Sequence, residues 1–276
     1  MTAAGAGGPA AARTARTGSL ESHLRTRRDA GRKLLVPYVT GGMGPEWVEA
    51  VHAVADAGAD AVEIGIPFSD PMIDGPTIQE ASLRALQRGT TPAQVLDALA
   101  RADLAVPLCV MTYYNIVFRA GPRRFARSLA DAGVAGAIIP DLPLEEGEEW
   151  CGEADAAGVA TVLLVAPSTP LERARAICER SRGFVYGVGL MGVTGVRTAL
   201  ADTAGDVARK VRAVTDRPVC IGIGVSTPEQ AAQACADADG VVVGSAIVRR
   251  LLDGAGPDGV GGFVASLRAG IDGVLR

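Results

Sequence analysis

Histidine is nearly absent from this chain: 276 residues contain only His23 and His52. Both fall in helix-like stretches on the N-terminal side of the motifs below, so a zinc centre built on histidine is not expected. Aromatic residues make up only 4 %, against 48 % hydrophobic residues overall, so the core must be built mostly of Ala, Val, Leu and Ile. The five cysteines, Cys109, Cys151, Cys178, Cys220 and Cys235, are scattered, odd in number and without a C-x-x-C pair. That pattern gives no disulfide framework and reads as reduced thiols in a cytoplasmic protein. No run approaches the roughly 18 apolar residues of a membrane span. A net charge of -4 argues against nucleic acid or an anionic membrane as the main partner.

The start, MTAAGAGGPAAARTARTG at 1–18, has no apolar core of a secretory signal. It is expected to be a disordered N-terminal tail, with a transit peptide as the alternative. Residues 19–276 carry no linker or shift in composition and are expected to form one domain.

What is abundant is a repeat. A helix-like stretch ends in an Ala/Asp/Gly cluster and an apolar run follows, as at 55–66, 130–140, 154–166 and 236–244. The Gly suits a left-handed helix end, and the Val/Ile-rich run suits a strand buried on both faces. Eight such runs are found: Leu34–Val39, Ala61–Ile66, Pro107–Tyr113, Ala135–Ile139, Thr161–Val165, Phe184–Val188, Pro218–Ile223 and Gly240–Val243. Pro45–Asp56, Pro122–Asp131, Leu171–Ser181 and Pro228–Ala238 are among the helices between them. The expected fold class is α/β, a single (β/α)8 TIM barrel. A doubly wound open sheet is the alternative, but Tyr38-Val39-Thr40-Gly41-Gly42 is a poor G-x-G-x-x-G fingerprint. An extra N-terminal helix over Ser19–Ala30, capped by Ser19 or Ser22, is expected to close the barrel bottom. A short helix at 245–252 and a last one near 261–274 complete the pattern.

In such a barrel the chemistry sits at the C-terminal strand ends. In the second run Val62, Ile64 and Ile66 share the bulky face, so Glu63 points into the barrel near its mouth. A buried carboxylate is either paired or functional. The only bases near a strand end are Arg32 and Lys33, before the first strand. Asp74, just before Gly75-Pro76, reads equally as a helix cap or as a second reactive carboxylate. Asp70-Pro71 reads as turn chemistry. Glycine loops follow the last three strands: Gly192-Val193-Thr194-Gly195, Gly222-Ile223-Gly224-Val225-Ser226 and Gly244-Ser245-Ala246. Their backbone N–H groups can hold a phosphate, although ordinary turn glycine looks the same. Tyr186, on one face with Phe184, can orient a carboxylate or fill the core. Tyr113 and Asn115 can meet a ligand or pack a loop. Trp47 and Trp150 read as packing residues, and Arg25, Arg27 and Arg28 as a solvated helix face.

These residues resemble the α subunit of tryptophan synthase from about Leu20 to the C-terminus. The resemblance is carried by GRKLLVPYVTGG at 31–42, VEIGIPFSDPMIDGPTIQ at 62–79, MTYYNIVF at 111–118, PDLP at 140–143, YGVGLMGVTG at 186–195, IGIGVSTPEQ at 221–230 and VVVGSAIV at 241–248. It implies a (β/α)8 lyase that cleaves indole-3-glycerol phosphate to indole and glyceraldehyde 3-phosphate. Glu63 then matches the acid–base glutamate, and Asp74 the aspartate on the indole N–H. Tyr186 matches the tyrosine beside that glutamate, and Thr194 the threonine of a closing loop that holds the aspartate. Gly195, Gly224, Gly244 and Ser245 match phosphate binders, Tyr113 an indole-pocket residue, and Asp70 and Pro71 the loop facing the β subunit. No cofactor is expected in this chain. Pyridoxal phosphate is expected only in a partner β subunit, within an α2β2 heterotetramer. The family pattern differs at Met72, Ile73, Gly189, Leu190 and Tyr38, the last standing where Phe is frequent.

The close alternative is a stand-alone lyase that releases free indole. A metal-dependent phosphosugar epimerase on the same barrel would need strand-end histidines, which this chain lacks. A barrel that only activates a partner would have no need of Glu63, Asp74 and the glycine loops together.

Overall fold

A computed structural model describes residues 20–189, 197–222 and 224–273. Eight parallel strands close into a barrel in sequence order, with the last paired to the first. They are β1 Leu34–Thr40, β2 Val62–Gly65, β3 Leu108–Met111, β4 Val134–Ile138, β5 Ala160–Val165, β6 Val185–Val188, β7 Val219–Gly222 and β8 Gly240–Val243. The open-sheet alternative is excluded by the β1–β8 pairing, Leu34 to Gly240 through Pro37 to Val243.

Twelve α-helices are present among the described residues. In chain order they are α1 Leu20–Asp29, α2 Trp47–Asp56, α3 Pro76–Gln87, α4 Pro92–Arg101, α5 Tyr114–Ala120, α6 Pro122–Asp131, α7 Glu148–Ala157, α8 Leu171–Arg180, α9 Arg197–Arg212, α10 Pro228–Asp237, α11 Ser245–Leu252 and α12 Gly256–Gly273. Local chemistry sets several ends. Pro opens α3, α4, α6 and α10, where its missing N–H costs nothing. Thr91 and Gln94 form a capping box on α4. Gly58, Gly133 and Gly158, just past α2, α6 and α7, have φ of 103°, 74° and 74°, the left-handed turn expected there. The fourth glycine of that repeat, Gly240, is instead the first residue of β8. The last helix starts at Gly256, earlier than the expected 261.

Side-chain parity divides the core. Leu35, Val62, Ile64, Val110, Val241 and Val243 face the helices of a large outer cluster. Leu34, Val36, Ala61, Cys109, Phe184, Cys220 and Val242 fill the barrel interior. Leu20 and Leu24 of α1 join that interior cluster and close the bottom. The expected tail at 1–18 and the cap at Ser19 lie outside the described residues; Ser22 is inside the helix, where its carbonyl accepts the Thr26 hydroxyl. The arginines of α1 are not simply solvated: Arg25 pairs with Glu21 and Asp216, and Arg28 with Asp29 and Asp216, tying α1 to the segment before β7.

Candidate active site

The C-terminal ends of the strands open into a cavity of about 650 Å³, a size usual for small-molecule sites. Glu63, Asp74, Tyr186, Gly224, Gly244 and Ser245 all line it. Apolar walls come from Met111, Ile138 and Leu164.

Glu63 points inward, as parity requires, with Tyr38 and Cys109 as its neighbours across the ladder. It is 1 % exposed, and among the described residues its Oε2 has no hydrogen-bond partner. Arg32, the candidate pairing base, is spent elsewhere. It donates to Asp60 Oδ1 at 2.7 Å at the opposite end of β2. Burial first, and the Asp74 charge second, push the Glu63 carboxyl up to about 8. At neutral pH Glu63 therefore holds its proton.

Asp74 does not cap α3. The cap position belongs to Gly75, and no side chain bonds the first turn. Burial raises the Asp74 carboxyl, while a hydrogen bond to the Tyr113 hydroxyl pulls the other way. The same hydroxyl accepts the Ile73 N–H at 3.3 Å, and the Tyr113 ring stacks on Phe68 at 5.0 Å. Tyr113 is 3 % exposed and is not among the cavity-lining side chains. It stands behind Asp74 and holds the loop.

Tyr186, in the barrel interior, packs against Phe184 at 6.0 Å. Its hydroxyl lies over Gly222, where a Cβ would come within 2.7 Å of it. Burial and the nearby Glu63 raise this phenol, so it stays a neutral donor. The opposite end of the cavity is backbone. Gly224 has φ 71°, and α11 begins at Ser245. The first intrahelical bonds are donated by Ile247 and Val248 to the Gly244 carbonyl. The N–H groups of Gly244, Ser245 and Ala246 precede them and suit an anion. Among the described residues the one guanidinium on the lining, Arg173, is paired with Glu145.

Thr194, Gly195, Gly192 and Leu190 lie outside the described residues. Asp70 is exposed and accepts the Ser69 hydroxyl, and Pro71 is half-buried beside it. Met72 is 76 % exposed; Ile73, 53 % exposed, stands at the cavity edge. The sequence reasoning gave Tyr38 no role, yet it lines the cavity. Its inward parity with Leu34 and Val36 on β1 was the available signal.

The tryptophan synthase alpha chain family profile matches residues 24–258. The tryptophan synthase alpha chain of Streptomyces coelicolor is 45 % identical over 267 residues, covering 92 % of this chain and 97 % of the relative. That of Picosynechococcus is 44 % identical, covering 92 % and 99 %. A chain of Mycobacterium tuberculosis tryptophan synthase superposes with a TM-score of 0.84 at 39 % identity, covering 92 % of this chain and 98 % of its own. The chain belongs to the tryptophan synthase alpha chain family, the lyase subunits of tryptophan biosynthesis.

Proposed function

We propose that this chain cleaves indole-3-glycerol phosphate by a retro-aldol reaction to indole and glyceraldehyde 3-phosphate. The observation that carries this reading is Glu63: an inward, buried, unpaired carboxyl that keeps its proton to about pH 8, on one cavity with Asp74.

The phosphate sits on the N–H groups around Gly224, Gly244 and Ser245, with Gly195 of the sixth loop as a further binder. The ring lies between the apolar walls with its N–H toward Asp74. Glu63 gives its proton to ring carbon C3, and the ring nitrogen takes up the positive charge. Asp74 accepts a hydrogen bond from that N–H and stabilises the charge. Its bond from Tyr113 favours the ionised form this needs. The Glu63 carboxylate then removes the proton of the side-chain hydroxyl next to C3. The bond between C3 and that carbon breaks, its electrons return to the ring, and the aldehyde forms. Glu63 ends protonated, ready for another turnover. Tyr186 orients the glutamate, and Thr194 steadies Asp74 as its loop excludes water. No step calls on a metal or organic cofactor of this chain.

Indole passes to a β subunit that carries pyridoxal phosphate, in a cytoplasmic α2β2 assembly. The loop at Asp70 and Pro71, with Asp70 and Met72 exposed beside the cavity, faces that partner. The relatives named above, all of tryptophan synthase, favour this over a stand-alone lyase. The test is indole and aldehyde release from indole-3-glycerol phosphate by the purified chain, with and without a β subunit. Release that a β subunit accelerates supports both the reaction and the complex. No release under either condition refutes the reaction, and release indifferent to the partner refutes the complex.

A further inference from the structure

We infer that the Tyr38 hydroxyl is the hydrogen-bond donor that receives the Glu63 carboxylate in mid-reaction, which makes Tyr38 a positioning residue acting through Glu63. The inference deepens the proposed retro-aldol reading and rests on it.

Two unspent groups lie side by side. Glu63 Oε2 is a buried acceptor with no partner among the described residues. Tyr38 is 6 % exposed, and its hydroxyl accepts a long bond of 3.4 Å from Thr40 Oγ1. Among the described residues that hydroxyl donates to nothing, so its own proton is free. Tyr38 and Glu63 are register partners on β1 and β2 and both point inward. Gly65 is the next inward position after Glu63, about 6.6 Å up the strand. The phenol leans across exactly that gap: a Cβ at Gly65 would lie 1.8 Å from the Tyr38 oxygen. The donor therefore occupies the place toward which Glu63 must reach to meet a ligand in the cavity.

Such a donor stabilises the charged step. After C3 is protonated, Glu63 is a bare carboxylate in a dry site, and an unmet buried charge is costly. The groups facing it are Tyr38 from β1, Asp74 from the loop after β2, Cys109 from β3 and Tyr186 from β6. Asp74 repels the charge, and the buried Cys109 thiol is a weak donor. Tyr186 stands over Gly222 and meets the carboxylate from the β6 side. Tyr38 is the donor on the β1–β2 flank.

Tyr38→Phe removes one oxygen and keeps the ring. We expect kcat on indole-3-glycerol phosphate to fall about tenfold or more, with KM changed less than about twofold. The Glu63 carboxyl, followed by carbon NMR in glutamate-labelled protein and assigned with Glu63→Gln, should titrate at least about half a unit higher, because a donor to the charged form has been lost. An unchanged titration with unchanged kcat overturns the inference. A rise in KM alone also overturns it, because it makes Tyr38 a packing or binding residue. If Tyr38→Phe fails to fold, Thr40→Val frees the hydroxyl to turn away, and the titration should move in the same direction. Should the wild-type chain release no indole, the lyase reading fails, while the NMR titration still decides the Tyr38–Glu63 bond.

Discussion

At the scale of single residues, the site depends on a carboxyl that is held neutral against its nature. Glu63 binds its proton up to about pH 8 in the folded protein, whereas the ordinary value is 4.5. Between those values the folded state holds a proton that the unfolded chain releases. Folding stability is therefore fullest below about pH 4.5 with respect to this group, and is lost as pH rises through 8. Glu63→Gln removes that loss. Relative to wild type it should gain thermal stability progressively from pH 5 to pH 9, by about 3–5 kcal/mol at the upper end. Thermal melts of both proteins across that range would decide it; parallel curves contradict the perturbed carboxyl. Much of this was legible in the sequence, because β2 alternates cleanly and puts Glu63 opposite Val62 and Ile64. Asp74 was not legible. A carboxylate before Gly-Pro looks like a cap until the backbone places Gly75 in that role and Tyr113 on the side chain.

At the scale of elements, the two ends of the barrel divide the work. At the bottom Asp60, fully buried, accepts from Arg32 at 2.7 Å, from Arg268 at 3.3 Å and from the Leu35 N–H at 2.9 Å. This ties β1, the start of β2 and α12 together, far from the cavity. The α1 plug belongs to the same end. Leu24→Ala should destabilise the fold by about 2–5 kcal/mol in urea unfolding, with kcat unchanged under native conditions. A large fall in kcat at full folding would contradict the division. The sequence showed the α1 helix and its place because a serine-capped stretch directly precedes the first strand. It did not show the Asp60 network, since the partners lie 28 and 208 residues away. Simple alternation also fails in β4. A register shift between Leu108 and Cys109 lets Ala135 and Ile138, three apart, both face inward. The paired helices α3 and α4 between β2 and β3 were likewise hidden, because the strand–helix repeat predicts one.

At the scale of the whole molecule, large apolar side chains stand exposed on the segments that follow β2 and β3, and such exposure, where contiguous, marks a docking surface. Met72 is 76 % and Ile73 53 % exposed on the loop after β2, and Phe118, on α5 after β3, is 66 % exposed. Ile73 is also one residue from Asp74 and shares its Tyr113 anchor. A partner docking there touches the loop that carries the second carboxylate. Met72→Asp should leave the lyase rate of the isolated chain unchanged and reduce its acceleration by a β subunit about tenfold. Equal acceleration of both proteins would move the interface elsewhere.

The central claim is that Glu63 carries the proton in both directions. It is tested most directly by the rate of indole release from indole-3-glycerol phosphate by wild type and Glu63→Gln, measured across pH. The wild-type rate should decline as pH rises past about 8, where the acid form is lost. Glu63→Gln should be slower by at least about a hundredfold at every pH while remaining folded. A folded Glu63→Gln protein that releases indole at close to the wild-type rate would contradict the account.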